Sequence, residues 1–296
     1  MAQMREIKKR MVAVGTIQRI TKTMQMIATA KFTAAAQRAK ATQPYTQTIR
    51  RLVAELTDAA GEIEHPLIDG APEASGRELL LVITSDRGLC GAYNGNVFRV
   101  AIGQVRGLRE RGVDLELETS GKKAVAFFKF QQIPIAERHS IGDEPAYDEV
   151  EHLADRYIEG FTAGRYDAVR IAYVRFESNA RQVPEVMQLL PLKPEAAVEA
   201  VGEGTPTQKA RANYEFSPSE EELLASLLPL TVKAMLFQAV NDAVVSEQIM
   251  RMVAMKAATE NAKDLGRMLT RQYNRARQTQ ITTELSEIIG GTAALE

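Results

Sequence analysis

The one stretch of this 296-residue chain that looks built for chemistry is Ser85-Asp86-Arg87-Gly88-Leu89-Cys90-Gly91-Ala92-Tyr93-Asn94-Gly95. A glycine-rich turn leading from a strand into a helix can cradle phosphate on its backbone amides. The residue pattern does not follow through, since neither G-x-x-x-x-G-K-[ST] nor G-x-G-x-x-G is present. The preferred reading is a tight turn that packs a helix against a sheet. Cys90 stands where a helix start would activate a thiol. No histidine lies near it in sequence, so a buried structural thiol is expected. As the only cysteine, it forms no internal disulfide and no cysteine-based metal site. His65, His139 and His152 show no metal-ligand spacing, and there is no G-x-S-x-G and no defensible pair of carboxylates. The sequence thus offers no catalytic residue, no cofactor site and no metal site.

The elements around that turn predict an α/β domain. Glu78–Thr84 is a short continuous apolar run, as in a strand buried on both faces of a parallel sheet. A helix is expected over 94–111, a strand over 113–119, a short helix over 122–130 and a further helix over 149–162. Strands are expected over 168–176 and 182–190. Strands alternating with helices argue for an open, Rossmann-like sheet with right-handed crossovers. Residues 57–76, with Gly61, Pro66, Gly70, Pro72 and Gly76, read as a connection, and 191–216 as a loose link.

Two long helices flank this domain. Ser217-Pro218-Ser219-Glu220 reads as a capped helix start. Apolar residues then recur at helical spacing from Leu224 to Ala257, and no strong breaker follows until Gly290-Gly291. A helix from 217 to 289 would be roughly 100 Å long and would need a partner helix. Pro229 should kink or restart it, and Gly266 should weaken it by about 1 kcal/mol. Residues 2–56 read as the partner. Met4, Ile7, Met11 and Val14 make a coiled-coil seam, which Ile17, Ile20, Met24 and Ile27 repeat after a one-residue phase change. The alanines from Ala28 to Ala39 are expected to face Ala254, Ala257, Ala258 and Ala262. A parallel homodimeric coiled coil is the alternative. The expected plan is three parts: residues 1–56, an α/β domain over 77–200, and residues 217–296, with the outer two forming an antiparallel coiled coil.

Charge is segregated. Residues 1–51 hold eleven Lys/Arg against Glu6 alone, a formal +10, whereas 52–76 hold six acids and no base. Residues 247–280 hold seven bases against three acids, a formal +4. The two basic segments suggest one electropositive surface. That motivates a nucleic-acid-binding scaffold as a second reading, although Phe32 and Tyr45 are the only aromatics in the first fifty residues. An α/β enzyme with helical arms is a third. No uninterrupted run of eighteen apolar residues suggests a membrane span. The basic start lacks the compact apolar core of a signal peptide and continues unbroken into the first helix, so it reads as structure.

Three groups of residues together resemble the gamma subunit of F-type ATP synthase, over essentially the whole chain. They are Ile17–Ala28; Thr84–Gly91; and Met252–Ala262 followed by Tyr273–Gln278 and Ile281–Glu287. The resemblance departs at Gly291-Thr292-Ala293-Ala294, where the family commonly reads Gly-Ala-Ala-Ala, and at Thr23, Phe32 and Thr33. It implies a non-catalytic rotor, one copy per complex. The paired helices would stand inside a ring of alpha and beta subunits. The α/β domain would sit at the foot of the shaft and bind the epsilon subunit and the membrane c-ring, with no nucleic acid involved. The location implied is the cytoplasmic face of a bacterial inner membrane, as a peripheral protein. With Cys90 alone, the cysteine-pair regulation of the chloroplast branch is not expected. Carried over from the family motifs, Arg251, Gln278, Thr282 and Glu284 would form a collar, with Lys22 and Met24 opposite them, and Glu287 would be a further subunit-interface residue. Ile288, Ile289, Ala293, Ala294 and Leu295 would turn in an apolar sleeve.

Overall fold

The computed structural model describes residues 2–60, 65–70, 74–192 and 220–293. In chain order the elements are α1 (Ala2–Ala60), α2 (Pro66–Asp69), β1 (Arg77–Ile83), α3 (Tyr93–Glu110), β2 (Asp114–Ser120) and α4 (Lys122–Phe130). There follow β3 (Glu137–His139), α5 (Tyr147–Thr162), β4 (Ala168–Ser178), β5 (Arg181–Leu190) and α6 (Glu220–Ala293). The architecture is an open α/β sheet between two long helices that pair as an antiparallel coiled coil. By contact the chain divides into two compact units, residues 1–30 with 251–296, and residues 31–250.

In the unit of residues 31–250 the strands run in the order β3-β2-β1-β4-β5. The first four are parallel and β5 returns antiparallel to β4. β1 is central, which explains its unbroken apolar sequence: each of its faces has a core to fill. Leu79, Leu81 and Ile83 join one core with Leu153, Tyr157 and Phe161 of α5 and with Leu224, Leu228, Val232 and Val240 of α6. Leu80 and Val82 join the other with Val97, Ala101 and Val105 of α3 and Phe128 of α4. Lys233 of α6 grips α5 through Glu151 (2.9 Å) and Asp155 (2.8 Å). Lys31 and Arg38 of α1 reach Asp143 and Glu144, just ahead of α5. α6 also carries a buried carboxyl, Asp242, which accepts from Gln238 Nε2 (2.8 Å) and from the backbone amide of Phe176 in β4.

In the unit of residues 1–30 and 251–296 the two long helices run antiparallel. Val14 lies beside Gly266, and Thr259 Oγ1 donates to Thr21 Oγ1 at 2.8 Å. Seven residues forward on α1 therefore correspond to seven back on α6. Ile7, Met11 and Val14 pack with Ala262 and Leu269.

Several expectations are corrected here. The first-helix seam has no phase change. It steps on by seven from Val14 to Thr21 and Ala28, which are buried, while Ile17, Ile20 and Ile27 are exposed. A small or polar residue at a close helix contact carries no apolar signal, so the sequence pattern followed the larger neighbours. The alanines do not pair alanine to alanine. Ala35 and Ala39 cluster with Val244 and Val245, and Ala262 with Val14, because register and not composition decides the partner. α6 continues through Pro229, flanked by the buried Leu228 and Val232, and through Gly290 and Gly291 to Ala293. Within 57–76, α1 extends to Ala60 and α2 forms a single turn, where the side chain of His65 accepts from the amide of Leu67. β3 went unpredicted because three residues carry no period. The expected helix start at 217–219 and the link from 193 to 216 lie outside the described residues. One 18-residue stretch of α6 has a mean hydropathy of 1.7, enough by composition to cross a membrane, but half of it is buried inside the protein.

Candidate functional site

The turn after β1 is spent on holding the fold. The first three amides of α4 all find acceptors in it: Lys122 N donates to Asp86 Oδ1 (3.0 Å), Lys123 N to the Ser85 carbonyl (3.2 Å) and Ala124 N to Thr84 Oγ1 (2.9 Å). The turn thus caps the start of α4, whose first three amides are all taken. Gly121 has φ +96°, and a Cβ there would stand 2.8 Å from Thr84 Oγ1 and closer still to the Thr84 carbonyl. Doubly wound sheets take nucleotides where the strand order reverses, here between β1 and β4. In this protein Val240 and Ala243 of α6 share a core with Ile83 and Tyr173 of those strands. The space left at the ends of β1 and β2 is about 20 Å³, room for about one water. Cys90 is buried, with Asn94 Nδ2 at 3.2 Å and Ser85 Oγ at 3.6 Å from its sulfur.

One cluster escaped the sequence reading. Glu118, Glu137 and His139 place a ligand atom each within 4.8 Å of one another. Their spacing in sequence gives no hint, because β2 and β3 bring them together by strand pairing. The centre of the cluster already holds a cation. Arg156 donates to both oxygens of Glu118 (2.8 and 2.7 Å) and to Glu137. Tyr157 and His139 approach Glu118 Oε2 at 2.6 and 2.7 Å. Burial pushes the Glu118 carboxyl up, but hydrogen bonds from His139 and Tyr157 and the Arg156 charge outweigh it and leave the pKa lowered. The arrangement is a clip that ties edge strand β3 and helix α5 to β2.

The exposed surface of the helix pair is where the sequence placed its binding residues. Lys22 is exposed, its Nζ 3.4 Å from Gln25 Oε1, and Met24 is half-buried. Gln278, Thr282, Glu284 and Glu287 are exposed on the last turns of α6. There Thr282 Oγ1 donates to the Gln278 carbonyl (3.0 Å), and Glu284 accepts from Gln280 (2.7 Å). Arg251 differs from the rest, being only 9% exposed. These residues do not form one collar. The register sets Lys22 and Met24 about twenty residues from Gln278, roughly 30 Å along the helix. Arg251 lies farther still from the last turns.

The same register brings α6 level with the start of α1 near residue 278. Beyond it α6 has no α1 beside it. On that stretch Ile281, Leu285, Ile288 and Ile289 follow i, i+4, i+7, i+8 spacing and are 52%, 56%, 65% and 59% exposed. An apolar stripe on a lone helix is a surface without its cover. Ile281 and Leu285 belong to it as much as Ile288 and Ile289. Their spacing was the signal that would have found them. Ala294 and Leu295 lie outside the described residues, as does the side chain of Ala293.

Comparison with known proteins identifies relatives over the full length. The family model described as ATP synthase matches residues 3–295. The chain is 40% identical to the ATP synthase gamma chain of Rhodopirellula baltica and 37% identical to that of Mannheimia succiniciproducens, in each case over 100% of both chains. Among solved structures it resembles a chain of the Euglena gracilis mitochondrial ATP synthase OSCP/F1/c-ring assembly, with a TM-score of 0.65 at 20% identity, covering 99% of this chain and 95% of that one. A chain of the Tetrahymena thermophila central stalk and c-ring matches with a TM-score of 0.56 at 21% identity over 81% of this chain and 99% of that one.

Proposed function

The chain belongs to the ATP synthase gamma-chain family, and from that premise we propose that it turns inside a ring of alpha and beta subunits and couples ion flow through a membrane c-ring to ATP synthesis. It is the non-catalytic gamma subunit of the central stalk. The finer assignments are our reading. One copy serves each complex, the α/β unit meets the epsilon subunit and the c-ring, and the complex sits on the cytoplasmic face of a bacterial membrane. The observation that carries the rotor reading is the end of α6, where a helix outruns its partner and keeps an apolar stripe exposed.

The mechanism needs no bond chemistry from this chain. Two antiparallel helices of different sequence make a rod with no rotational symmetry. Chemically identical ring subunits therefore meet different faces of it, and each is biased by the difference in contact free energy between its conformations. Turning the rod hands that bias to the next subunit. Driving a subunit decisively from one conformation to another takes about 5.5 kcal/mol of differential contact. An exposed ion pair contributes about 1 kcal/mol at most, so the bias must be spread along the rod. Burying an exposed Ile or Leu contributes roughly 1.5–3 kcal/mol when complete, which gives the tip stripe the capacity to hold the upper end in place. Lys22, Met24, Gln278, Thr282, Glu284 and Glu287 are proposed as polar and rim contacts, Ile288 and Ile289 as part of the bearing, and Arg251 as a lower contact. Because Arg251 is largely buried, reversing its charge would test folding as much as contact; Gln278 and Thr282 are the cleaner probes.

The test is recovery of the tagged chain from its host's membranes in mild detergent. Alpha, beta and epsilon subunits with ATPase activity are the expected co-purifying set. Recovery of the lone chain or of nucleic acid, without ATPase, would overturn the reading and return the basic helices to the scaffold alternative. In membranes carrying Leu285→Asp with Ile288→Asp, ATP synthesis should be lost while the isolated chain keeps its helical signal; unchanged synthesis would remove the tip from the mechanism.

A further inference from the structure

The α/β unit carries opposite charge on the two faces of its sheet. α3 and α4 cover one face side by side, with Phe98 stacked on Phe127 at 3.9 Å between ring centres. Together they hold six bases, Arg99, Arg106, Arg109, Lys122, Lys123 and Lys129, against one acid, Glu110. α5, on the other face, holds five acids against Arg156 alone. All six cations of α3 and α4 are exposed. Among the described residues none of the six has an ion-pair partner, and Arg99 only donates to Asn96 Oδ1 (3.0 Å). Beside Lys129 stands Phe130, 83% exposed, more than any other large apolar side chain among the described residues. α3 and α4 each connect parallel strands, so both run back along the sheet and end where the strands begin. That places Arg106, Arg109, Lys129 and Phe130 at one end of the unit. An aromatic ring projecting from a helix end among unpaired cations fits a surface that is anionic outside and apolar just beneath.

We propose that this end of the α3/α4 face binds the surface of an anionic bilayer, with lipid phosphates on Arg106, Arg109 and Lys129 and the Phe130 ring at the acyl boundary. Lysine and arginine stems are long enough to keep their charges at the phosphates while the ring goes deeper. Arg99, Lys122 and Lys123 extend the positive field behind the contact. The acidic α5 face is repelled by the same surface, so the unit has one preferred orientation on it. The chemistry of the face stands without the rotor reading; that a bilayer lies within its reach rests on that reading.

The chain has no tryptophan, so Phe130→Trp installs a reporter at the contact and keeps an aromatic ring there. The full chain carrying it is mixed with vesicles of phosphatidylcholine, alone or with an equal share of phosphatidylglycerol. Emission should shift to the blue with the anionic vesicles only, and brominated acyl chains should quench it. The basic start of α1 attracts such vesicles too. Binding that leaves the tryptophan unshifted and unquenched would therefore show another surface at work and overturn the proposal. Adding Arg109→Gln and Lys129→Gln should raise the lipid concentration needed for the shift about 25-fold, at about fivefold for each cation near the surface. Both side chains are exposed, so the melting temperature should not move. An unchanged lipid requirement would also overturn the proposal. In the complex rebuilt with alpha, beta and epsilon subunits, the wild-type chain should float with the anionic vesicles, and Phe130→Ser should do so roughly tenfold less well. A complex that does not float would mean that another subunit covers the face, refuting the lipid contact and leaving the rotor reading intact. A chain that binds the vesicles through Phe130 but does not assemble with the ring would sink the rotor reading and leave the lipid-binding face standing.

Discussion

Replacing Asp242 by Asn should change how the stability of this protein depends on pH. Burial against β4 and β5 raises the Asp242 carboxyl from 3.8 to about 7; hydrogen bonds from Gln238 and Phe176 and the Arg175 charge oppose the rise, and Glu185 reinforces it. A folded-state pKa above the unfolded value means that the folded chain holds the proton more tightly. The contribution to stability is then complete below about pH 3.8, falls as pH rises, and levels off above about pH 7. At about 1.36 kcal/mol per pKa unit, ionising this group costs the fold roughly 2–3 kcal/mol between pH 5 and pH 8. Asn keeps the volume and one acceptor oxygen for Gln238 but cannot ionise. Urea unfolding followed by circular dichroism at both pH values is the assay. The wild-type chain should lose roughly 2–3 kcal/mol more than the variant over that interval. The variant should also be the more stable of the two at pH 8, even after losing about 1 kcal/mol for a poorer bond to the Phe176 amide. Equal pH slopes in the two chains would show that Asp242 is solvated or already paired, and the reasoning would fail.

Gly121→Ala should destabilise the α/β unit by about 3 kcal/mol or more, since it combines a positive φ with a collision against Thr84, and a thermal melt would show it. Arg156→Ala should cost roughly 3–5 kcal/mol by leaving Glu118 buried without its cation, whereas Glu118→Gln should cost less; a larger loss in Glu118→Gln would contradict the clip. Because the Glu118 pKa is lowered in the folded chain, the clip's stabilisation is present above the ordinary glutamate range and is lost as acid titrates it, so the two variants should converge at low pH in an acid titration. In the helix pair, Ala28→Leu should destabilise by about 1–3 kcal/mol through overpacking, whereas Ile20→Ser should stay within about 0.5 kcal/mol; the reverse order would restore the phase change that the helix pair lacks.

The types of the elements were legible because each rests on a local pattern. A two-faced central strand must be apolar throughout, and β1 is. Helices that need one buried stripe repeat it at their own period, as α3 and α6 do. The absence of catalytic chemistry was legible too, because a phosphate loop or a nucleophile elbow needs particular residues in a row. The apolar stripe of the tip was written in the spacing of Ile281, Leu285, Ile288 and Ile289, of which only the last two were singled out. What sequence could not decide was everything set by register between distant segments. Only the packed helices show that Thr21 and Ala28 carry the seam and that Ile17 and Ile20 face outward, because a close helix contact selects small residues that hydrophobic periodicity does not register. Only strand pairing brings Glu118, Glu137, His139 and Arg156 into one clip. Only the antiparallel register separates Lys22 from Gln278 and leaves the end of α6 without a partner. Local pattern is a property of neighbours in the chain, whereas these contacts are properties of neighbours in space.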